Sequence, residues 1–540
     1  MKQQRFLLSI TKEIEIENEN EVKMKKSIFH TPYSILILLS AFLLVTSCKT
    51  KKITVPKKNV VTIKLLQVND VYEISPLSGG KEGGMARVAY VADSIRKQYS
   101  NTYLTMAGDF LNPSLIGTLK VDGKRVAGRQ MVEVMNAMKF DLAAFGNHEF
   151  DLKEHELQER LNESEFTWTG ANVFQKNGED VRVFHTIKNG DSLPISETIT
   201  YDIDINKEYL LRLGFFSVCI DSNPVDYVHY ADYMLEAGSA YAALESQNTD
   251  IIVGLTHLSI EQDKQVAEAF DNIDLIMGGH EHDNMYVPVN GIHVAKADAN
   301  AKTMYVHTLT YNLATETLDI NSELVPITNK TPSLPTVQAV VSKWEGILNK
   351  ELRSIISNPN EVIYHAETPL DGTDAGGRGK QTNLGNIISE AMSVSFDTPV
   401  DGALVNGGSF RLDDHLEGDI TAVDVFRVLP FGGDVLKVEI TGELLKETLD
   451  YGESSAGTGA YLQRHNLNKN DKNVWLVQGA PIVSDQVYTI AFSDFLLKGF
   501  DIPFLTPDNP GVKSIYKPTA FEPAFDIRKA VVDFMKTLNQ

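Results

Sequence analysis

The chain has 540 residues, of which 43% are hydrophobic and 23% are charged, and its formal net charge is -22. This length is too great for one hydrophobic core and favours two domains together with a targeting segment. The negative charge argues against a nucleic-acid polymer as a partner, because proteins that bind such polymers carry extended basic faces. An anionic substrate would have to be attracted by a local group of positive side chains.

The first predicted element, within residues 1–48, is a secretion signal. Two lysines follow Met24 and precede an apolar run at residues 35–45. That run is too short to cross hydrocarbon about 30 Å thick and is typical of a signal peptide. The acidic segment before Met24 lacks the character of a signal, which indicates a mis-assigned upstream start. The ending Thr46-Ser47-Cys48 resembles a bacterial lipoprotein cleavage site.

Lipidation of Cys48 would make it the first residue of the mature protein. The lipid would anchor the chain to a membrane of the cell envelope, in the periplasm or at the cell surface. A cleaved signal peptide with an incidental cysteine, or an N-terminal anchor, is the alternative. Residues 49–60 are expected to form a polar tether. The other cysteine, Cys219, lies in an apolar run and is expected to be a buried core thiol.

Residues 61–330 alternate short apolar strands with helical patterns, for example at residues 85–99 and 129–139. This alternation predicts an α/β domain in which helices surround mainly buried sheets.

A proline-rich boundary follows this first domain. Within residues 331–359, the segment 336–352 carries apolar side chains at helical spacing and is predicted to be a linker helix. A second domain is predicted over residues 360–540.

Five strand-like segments of the first domain each deliver a possible metal ligand where the strand ends. Each opens with a short apolar run, the mark of a strand buried on both faces, so the ligands are expected along one edge of a sheet. Two carboxylates, one amide oxygen and three imidazoles suit Zn, Mn or Fe better than Ca or Mg. The residues concerned are Asp70, Asp109, Asn147, His257, His280 and His282.

The segment Gly146-Asn147-His148-Glu149-Phe150-Asp151 is the most informative of these turns. It can direct an amide oxygen and the His148 imidazole into one cleft, with the Asp151 carboxylate three residues on to hold that ring. Asn and His in a loop can also be simple turn formers. Together with the other strand ends, the segment predicts a phosphoesterase centre.

These motifs resemble those of the 5'-nucleotidase family of the calcineurin-like metallophosphoesterases, and the resemblance extends from Val61 to the C-terminus. It implies a four-layer α/β/β/α sandwich followed by an α+β substrate-binding domain. It also implies two divalent metal ions. By the same resemblance, the six residues named above are the metal ligands, and His148 and Asp151 form a catalytic pair.

Tyr72 is a departure from the family pattern, which usually has histidine at this position. The tyrosine could ligate as a phenolate, leave a place for water, or do neither. The resemblance further implies that a hydroxide bridging the two metals attacks phosphorus. His148, oriented by Asp151, would then assist the leaving group as a general acid.

The second domain carries segments similar to the substrate-binding segments of the family. Asn406 and Arg411 belong to a glycine-rich turn in which the arginine fork can hold phosphate oxygens. Arg378 and Lys380 belong to another, in which Lys380 replaces an arginine; a solvated loop is the alternative. Two aromatic rings are expected to stack on a nucleobase, with a plain core role as the alternative. These rings are Phe431 and Tyr461.

We therefore expect a lipid-anchored phosphohydrolase that releases phosphate from nucleotides or related anionic esters. Within the same chemistry, the alternatives are a UDP-sugar pyrophosphatase, a cyclic-nucleotide phosphodiesterase, a hydrolase of non-nucleotide phosphate esters, or a thiohydrolase. From another class, the chain could be a degenerate phosphate-binding lipoprotein in which Tyr72 has disabled the first metal. The retained His148 and Asp151 argue against degeneracy.

Overall fold

Among the described residues, the strands form two six-stranded sheets in the first domain and one five-stranded sheet in the second. The computed structural model describes residues 60–205, 209–222 and 224–539, which lie in the compact unit Lys57–Gln540. The predicted signal, Cys48 and nearly all of the predicted tether therefore lie outside the described residues. Within the described ranges, no helix combines the length and apolarity needed to cross a membrane.

The strands are numbered along the chain. They are β1 (Val60–Val68), β2 (Thr102–Ala107), β3 (Lys120–Val121), β4 (Lys124–Arg125), β5 (Leu142–Ala144), β6 (Thr167–Thr169), β7 (Val173–Asn177), β8 (Asp180–Val183), β9 (His185–Lys188), β10 (Asp191–Pro194), β11 (Thr198–Ile205), β12 (Tyr209–Phe216), β13 (Val228–Tyr230), β14 (Ile251–Thr256), β15 (Leu275–Gly278), β16 (Met285–Val289), β17 (Ile292–Lys296), β18 (Thr303–Asn312), β19 (Thr317–Pro326), β20 (Val362–Asp371), β21 (Gly402–Asn406), β22 (His415–Thr421), β23 (Val435–Thr441), β24 (Leu462–His465), β25 (Leu467–Lys469), β26 (Trp475–Val477), β27 (Ala480–Pro481), β28 (Val487–Ser493) and β29 (Val512–Tyr516).

The α-helices are referred to by their ranges. They span Met85–Arg96, Leu115–Thr118, Arg129–Met138, Glu154–Glu163, Tyr233–Ser246, Ile260–Ala269, Pro335–Leu352, Asp374–Gly379, Asn383–Ser393, Ala422–Val428, Gly442–Ser454 and Ile527–Leu538.

The first sheet has the order β19-β18-β1-β2-β5-β6, and the second has the order β11-β12-β14-β15-β17-β16. β1, β2, β5 and β6 run parallel, as do β12, β14, β15 and β17. Apolar side chains of both sheets, such as Leu65 on β1 and Leu255 on β14, form one core between them. The sheets therefore pack face to face.

Helices cover the outer faces of both sheets. Met85–Arg96 and Arg129–Met138 bury apolar side chains against the first sheet, and Tyr233–Ser246 and Ile260–Ala269 do so against the second. The four-layer sandwich is thus confirmed, and the helices predicted in the first domain are present. Cys219 is a buried free thiol, as predicted.

The helix predicted over residues 336–352 is present as Pro335–Leu352. It begins with a proline, whose fixed φ suits the first helical turn. Its buried face includes Val337, Val341 and Trp344. The helix packs on Arg129–Met138 and Met85–Arg96, so it rests on the first domain.

The second domain is built on the five-stranded sheet β24-β21-β28-β23-β29, with β20 and β22 as a separate pair. Helices Asn383–Ser393 and Ile527–Leu538 pack on each other, and Gly442–Ser454 packs on β23. This mixture is the predicted α+β architecture.

Ion pairs join the second domain to the first. Lys302 Nζ lies 2.7 Å from Asp414 Oδ2, and Arg427 Nε lies 3.7 Å from Glu73 Oε1. Lys302 and Glu73 belong to the loops at the edge of the sheets where the predicted ligands lie. The second domain therefore closes over that edge.

Candidate metal centre

The carboxyl ends of the parallel strands bring the predicted metal ligands together. Asp70 follows β1, Asp109 follows β2 and His257 follows β14, and all three side chains are buried. Their ligand atoms lie within 4.8 Å of one another. His257 Nε2 is 3.0 Å from Asp109 Oδ2 and 3.9 Å from Asp70 Oδ1. Two carboxylates and an imidazole at this spacing fit a divalent transition metal.

The backbone at three of these strand ends is in the left-handed region. The φ angle is 52° at Asp70, 55° at Asp109 and 83° at His280. Residues other than glycine rarely adopt such angles, and they persist only where the surrounding structure fixes them. The shared conformation indicates that these turns are shaped to direct side chains rather than to minimise local strain.

His257 and His280 differ in their surroundings. His257 Nδ1 donates to Ala107 O at 2.8 Å, which leaves Nε2 facing the carboxylates. Burial lowers the pKa of His257, but the Asp109 and Asp70 carboxylates and the hydrogen bond to Ala107 O together outweigh it and raise the value to about 9. The His280 ring lies 5.5 Å from the His257 ring, and burial together with His257 lowers the pKa of His280 to about 4.

His148 and Asp151 form the predicted pair. His148 Nδ1 lies 2.8 Å from Asp151 Oδ2, which also accepts a hydrogen bond of 2.8 Å from Asn112 Nδ2. The backbone N–H of His148 donates to Asp109 Oδ1 at 2.7 Å. Burial opposes protonation, but the Asp109 and Asp151 carboxylates raise the pKa of His148 to about 10. The pair is thus held beside the metal-binding carboxylates.

Asn147 precedes His148 in the loop that packs against Asp109. It is buried, and it follows Gly146, where an added Cβ would overlap Asp109. Only glycine permits this close approach of the two loops. The structure therefore places Asn147 beside Asp109.

His282 lies in a second part of the centre, together with Tyr72. The phenolic oxygen of Tyr72 is 3.0 Å from His282 Nε2, and Asp70 Oδ1 is 3.7 Å from the same nitrogen. Tyr72 is buried, and burial and the nearby carboxylates raise its pKa well above the ordinary value. The tyrosine therefore lies beside a predicted metal ligand, in surroundings that favour its protonated form.

Glu149 is a residue of the centre that the sequence analysis did not identify. Its carboxylate is buried and accepts backbone N–H groups from Asp109, Phe110, Leu111 and Gly146, at 2.7 to 3.0 Å. It joins the loop after β2 to the loop after β5. One sign of this role was present in the sequence, namely that Glu149 lies within the segment from Gly146 to Asp151.

Lys296 was also missed. It ends β17 and is fully buried, and its Nζ donates to Leu258 O at 2.6 Å and Gly279 O at 2.8 Å. It forms ion pairs with Asp263, at 2.8 Å, and with Glu281. This one ammonium group therefore holds the loop after His257 to the loop before His280. Nothing in the sequence near Lys296 indicates that role.

The three positively charged residues predicted to bind substrate differ in where the second domain places them. Arg411 reaches the centre, where its Nη2 lies 3.5 Å from Asp151 Oδ2. Arg378 is held by Asp374 at 2.7 Å. The Lys380 side chain is 69% exposed and lies 3.1 Å from Asp371. Lys380 is therefore placed at the surface.

A cavity of about 340 Å³ lies in the second domain, and Asn406 and Phe431 line it. Asn406 Nδ2 donates to Asp501 Oδ2 at 2.7 Å. The second aromatic ring lining the cavity is Phe495. Tyr461 is not among its lining residues; it is 6% exposed, and the Arg464 guanidinium lies 5.7 Å from its ring centre. The Tyr461 ring is therefore buried and is not part of the lining of this cavity, and its contact with a base stays a prediction.

Two family models match the chain. Residues 63–284 match the calcineurin-like phosphoesterase model, and residues 362–506 match the model of the 5'-nucleotidase C-terminal domain. The first match contains all six predicted metal ligands, and the second contains the cavity residues Asn406, Phe431 and Phe495.

Several relatives match most of this chain. The human 5'-nucleotidase is 24% identical over 523 residues, which cover 87% of each chain. The trifunctional nucleotide phosphoesterase YfkN of Bacillus subtilis is 26% identical over 83% of this chain, which spans about a third (32%) of that protein's length. The crystal structure of a 5'-nucleotidase precursor from Thermus thermophilus has a TM-score of 0.62 at 21% identity and covers 88% of this chain and 96% of that one. This likeness shows the fold.

Proposed function

We propose that this chain, which has the calcineurin-like phosphoesterase and 5'-nucleotidase C-terminal domains of the 5'-nucleotidase family, is a metal-dependent phosphohydrolase that releases phosphate from nucleotides. The position of Arg411 carries the proposal. Its Nη2 is 3.5 Å from Asp151 Oδ2, and its guanidinium is 5.9 Å from the centre of the Phe431 ring. A molecule with a phosphate at the metal centre and a base in the cavity would therefore lie beside the Arg411 guanidinium.

The strand-end side chains would hold two divalent ions, and the mixed nitrogen and oxygen donors suit Zn, Mn or Fe. When bound, the ions would activate water and share the negative charge that develops on the phosphoryl oxygens. One ion would be held by Asp70, Asp109 and His282, and the other by Asp109, Asn147, His257 and His280.

His148 would act on the leaving group. Asp151 holds Nδ1, so Nε2 is the nitrogen that can face the substrate. From there it would donate a proton or a hydrogen bond to the departing oxygen, an effect typically worth about 10² to 10⁴ in rate. Asn112 shares the Asp151 carboxylate and would fix its orientation.

The second domain would bind the rest of the nucleotide. Arg411 and Arg378 present guanidinium groups, whose planar forks match phosphate oxygens. Asn406 and Asp501, already hydrogen-bonded to each other at the cavity edge, would meet the sugar hydroxyls. Phe431 and Phe495 would stack on the base, which is worth about 1 to 3 kcal/mol per base.

The test is phosphate release by protein loaded with Mn, Zn or Co. The panel contains nucleoside monophosphates, UDP-sugars, cyclic nucleotides and an aryl phosphate without a base. We expect nucleoside monophosphates to be the best substrates. Phe495→Ala should raise KM for them at least fivefold, because stacking is lost, and should leave the aryl phosphate unaffected.

Tyr461→Phe is the matched control, because Tyr461 is not among the residues that line the cavity and the substitution keeps its ring. Its KM should equal that of the wild type. If Phe495→Ala raised KM equally for nucleoside monophosphates and for the aryl phosphate, the role of the cavity would be contradicted. A preference for UDP-sugars or cyclic nucleotides would replace the proposed substrate with another phosphate ester.

We further propose that lipid on Cys48 anchors the protein in the cell envelope. The support is the sequence at residues 35–48. Cys48→Ala should release the protein from the membrane fraction while phosphate release per molecule is unchanged. Mass spectrometry of a mature, membrane-free protein with unmodified Cys48 would contradict this proposal.

A further inference from the structure

Asp413 is a residue of the second domain that reaches into the metal centre of the first. Its backbone oxygen accepts a hydrogen bond from His282 Nδ1. Its carboxylate Oδ2 lies 3.6 Å from Nε2 of the same ring. One residue therefore contacts both nitrogens of a predicted metal ligand.

Three oxygen atoms surround His282 Nε2 at distances close to those between two ligands of one ion. Tyr72 Oη lies 3.0 Å from this nitrogen, Asp413 Oδ2 lies 3.6 Å away and Asp70 Oδ1 lies 3.7 Å away. Ligand atoms bound at about 2.0 to 2.2 Å from one ion are roughly 3.0 to 3.5 Å apart. Among the described residues, Asp70, Asp109 and His257 already have their ligand atoms within 4.8 Å of one another. The Asp70 and Asp413 carboxylates would have to approach each other to share an ion with His282.

The Asp413 carboxylate is held for such a role. Its Oδ1 accepts the backbone N–H of Asp374 at 2.7 Å, so Oδ2 is the oxygen directed at His282. Its backbone is in the left-handed region, with φ of 46°. Asp374 is itself paired with Arg378 at 2.7 Å. Contacts within the second domain therefore fix the orientation of the Asp413 carboxylate.

We propose that Asp413 is a ligand of the metal ion held by Asp70 and His282, so that both domains bind this ion. The inference rests on the metal centre of the proposed function. A carboxylate oxygen is a usual ligand of Zn, Mn and Fe, whereas the Tyr72 phenol is a less common one. Asp413 would thus supply the ligand that is missing at position 72.

This ligand couples metal binding to the arrangement of the domains. Arg411, the proposed phosphate-binding residue, lies two positions before Asp413 in the same loop. An ion bound by Asp413 would therefore hold Arg411 beside Asp151. The ion would thus add a further link between the domains, beside the ion pairs of Lys302 with Asp414 and of Arg427 with Glu73.

The experiment measures metal content and affinity rather than activity. Wild type and Asp413→Asn are equilibrated in metal-buffered Mn or Zn, and the ions per chain are counted by mass spectrometry. Asparagine keeps the backbone contact with His282 and an acceptor for the Asp374 N–H. We expect one of two ions to bind at least tenfold more weakly in the variant, with the other unchanged.

Two variants serve as controls. Asp414→Asn breaks the cross-domain pair with Lys302, and Tyr72→Phe removes the phenolic hydroxyl; both should keep two ions. The proposal is overturned if Asp413→Asn binds both ions as the wild type does, or if Asp414→Asn loses an ion equally. A further outcome separates this inference from the proposed function. If Asp413→Asn loses one ion selectively but the wild type hydrolyses no nucleotide, this inference stands and only the proposed function is overturned.

Discussion

The Glu149 carboxylate accepts hydrogen bonds from four backbone N–H groups, two on each oxygen. In Glu149→Gln, one of these oxygens becomes an amide NH₂ that faces two donors. Leaving buried donors unpaired costs about 1 to 3 kcal/mol each. We predict that Glu149→Gln lowers the free energy of unfolding by a few kcal/mol and lowers metal content as well.

Urea titration in the presence of a chelator separates the two effects, since it measures the metal-free fold. Glu261→Gln is the control, because the Glu261 side chain is 73% exposed and pairs with Lys264 at the surface. It should change the free energy of unfolding by less than about 1 kcal/mol. Wild-type stability and metal content in Glu149→Gln would show that the four hydrogen bonds do not hold the loops.

Lys296, at the end of β17, connects the loops that follow β14 and β15 in the second sheet. Lys296→Met keeps the length of the side chain but leaves Asp263 buried without its partner. Removing one member of a buried ion pair typically costs about 3 to 5 kcal/mol. We predict this loss of unfolding free energy, together with weaker binding of the metal near His257 and His280.

The control for Lys296→Met is Lys264→Met, which breaks a surface pair with Glu261 and should be nearly neutral. Should Lys296→Met fail to fold, Glu281→Gln gives a milder test, because the pair between Lys296 and Asp263 remains. Unchanged metal affinity in folded forms of both variants would rule out a positioning role for this lysine.

A buried polar chain joins the two sheets through His307. Its Nε2 lies 3.0 Å from Gln67 Oε1 and its Nδ1 lies 2.8 Å from Ser322 Oγ. Gln67 Nε2 in turn donates to Gly278 O and Ala295 O, each at 2.9 Å, in the second sheet. Burial lowers the pKa of His307 to about 3.

The sign of the pH effect follows from this pKa. The unfolded chain binds a proton at His307 below about pH 6.5, while the folded protein does not until about pH 3. Stability therefore falls as pH falls through this window, by up to about 1.4 kcal/mol per pH unit. His307→Gln should lose stability less steeply between pH 6 and pH 4, as measured by urea titration with chelator present.

His155→Gln, at an exposed position, is the control and should follow the wild-type pH dependence. Parallel curves for wild type and His307→Gln would contradict the neutral, buried state of His307.

At the scale of the whole molecule, the sequence predicts those parts of the site that depend on local pattern. Asp70, Asp109 and His257 could be found because each follows a short buried strand, and parallel strands deliver their carboxyl ends to one edge. The helix Pro335–Leu352 could be found from the spacing of its apolar residues. The domain boundaries themselves stay predictions.

Contacts between distant segments could not be predicted in this way. Lys296 and Asp413 act on loops that lie far from them in sequence, so no local spacing marks either residue. Phe495 illustrates the same limit, because only the structure shows that its ring lines the cavity together with Phe431. The sequence does not show that the Asp413 carboxylate lies beside His282, because this contact forms only where the second domain meets the first.

The central claim is that the strand ends hold metal ions for phosphate release while His148 serves the leaving group. The most direct measurement is phosphate release from a nucleoside monophosphate by His148→Ala, Asp109→Ala and wild type, with metal content measured on the same samples. We predict that His148→Ala keeps its metal but loses at least a hundredfold in kcat. Asp109→Ala should lose both metal and activity. Equal metal loss in the two variants, or an active His148→Ala, would contradict the account.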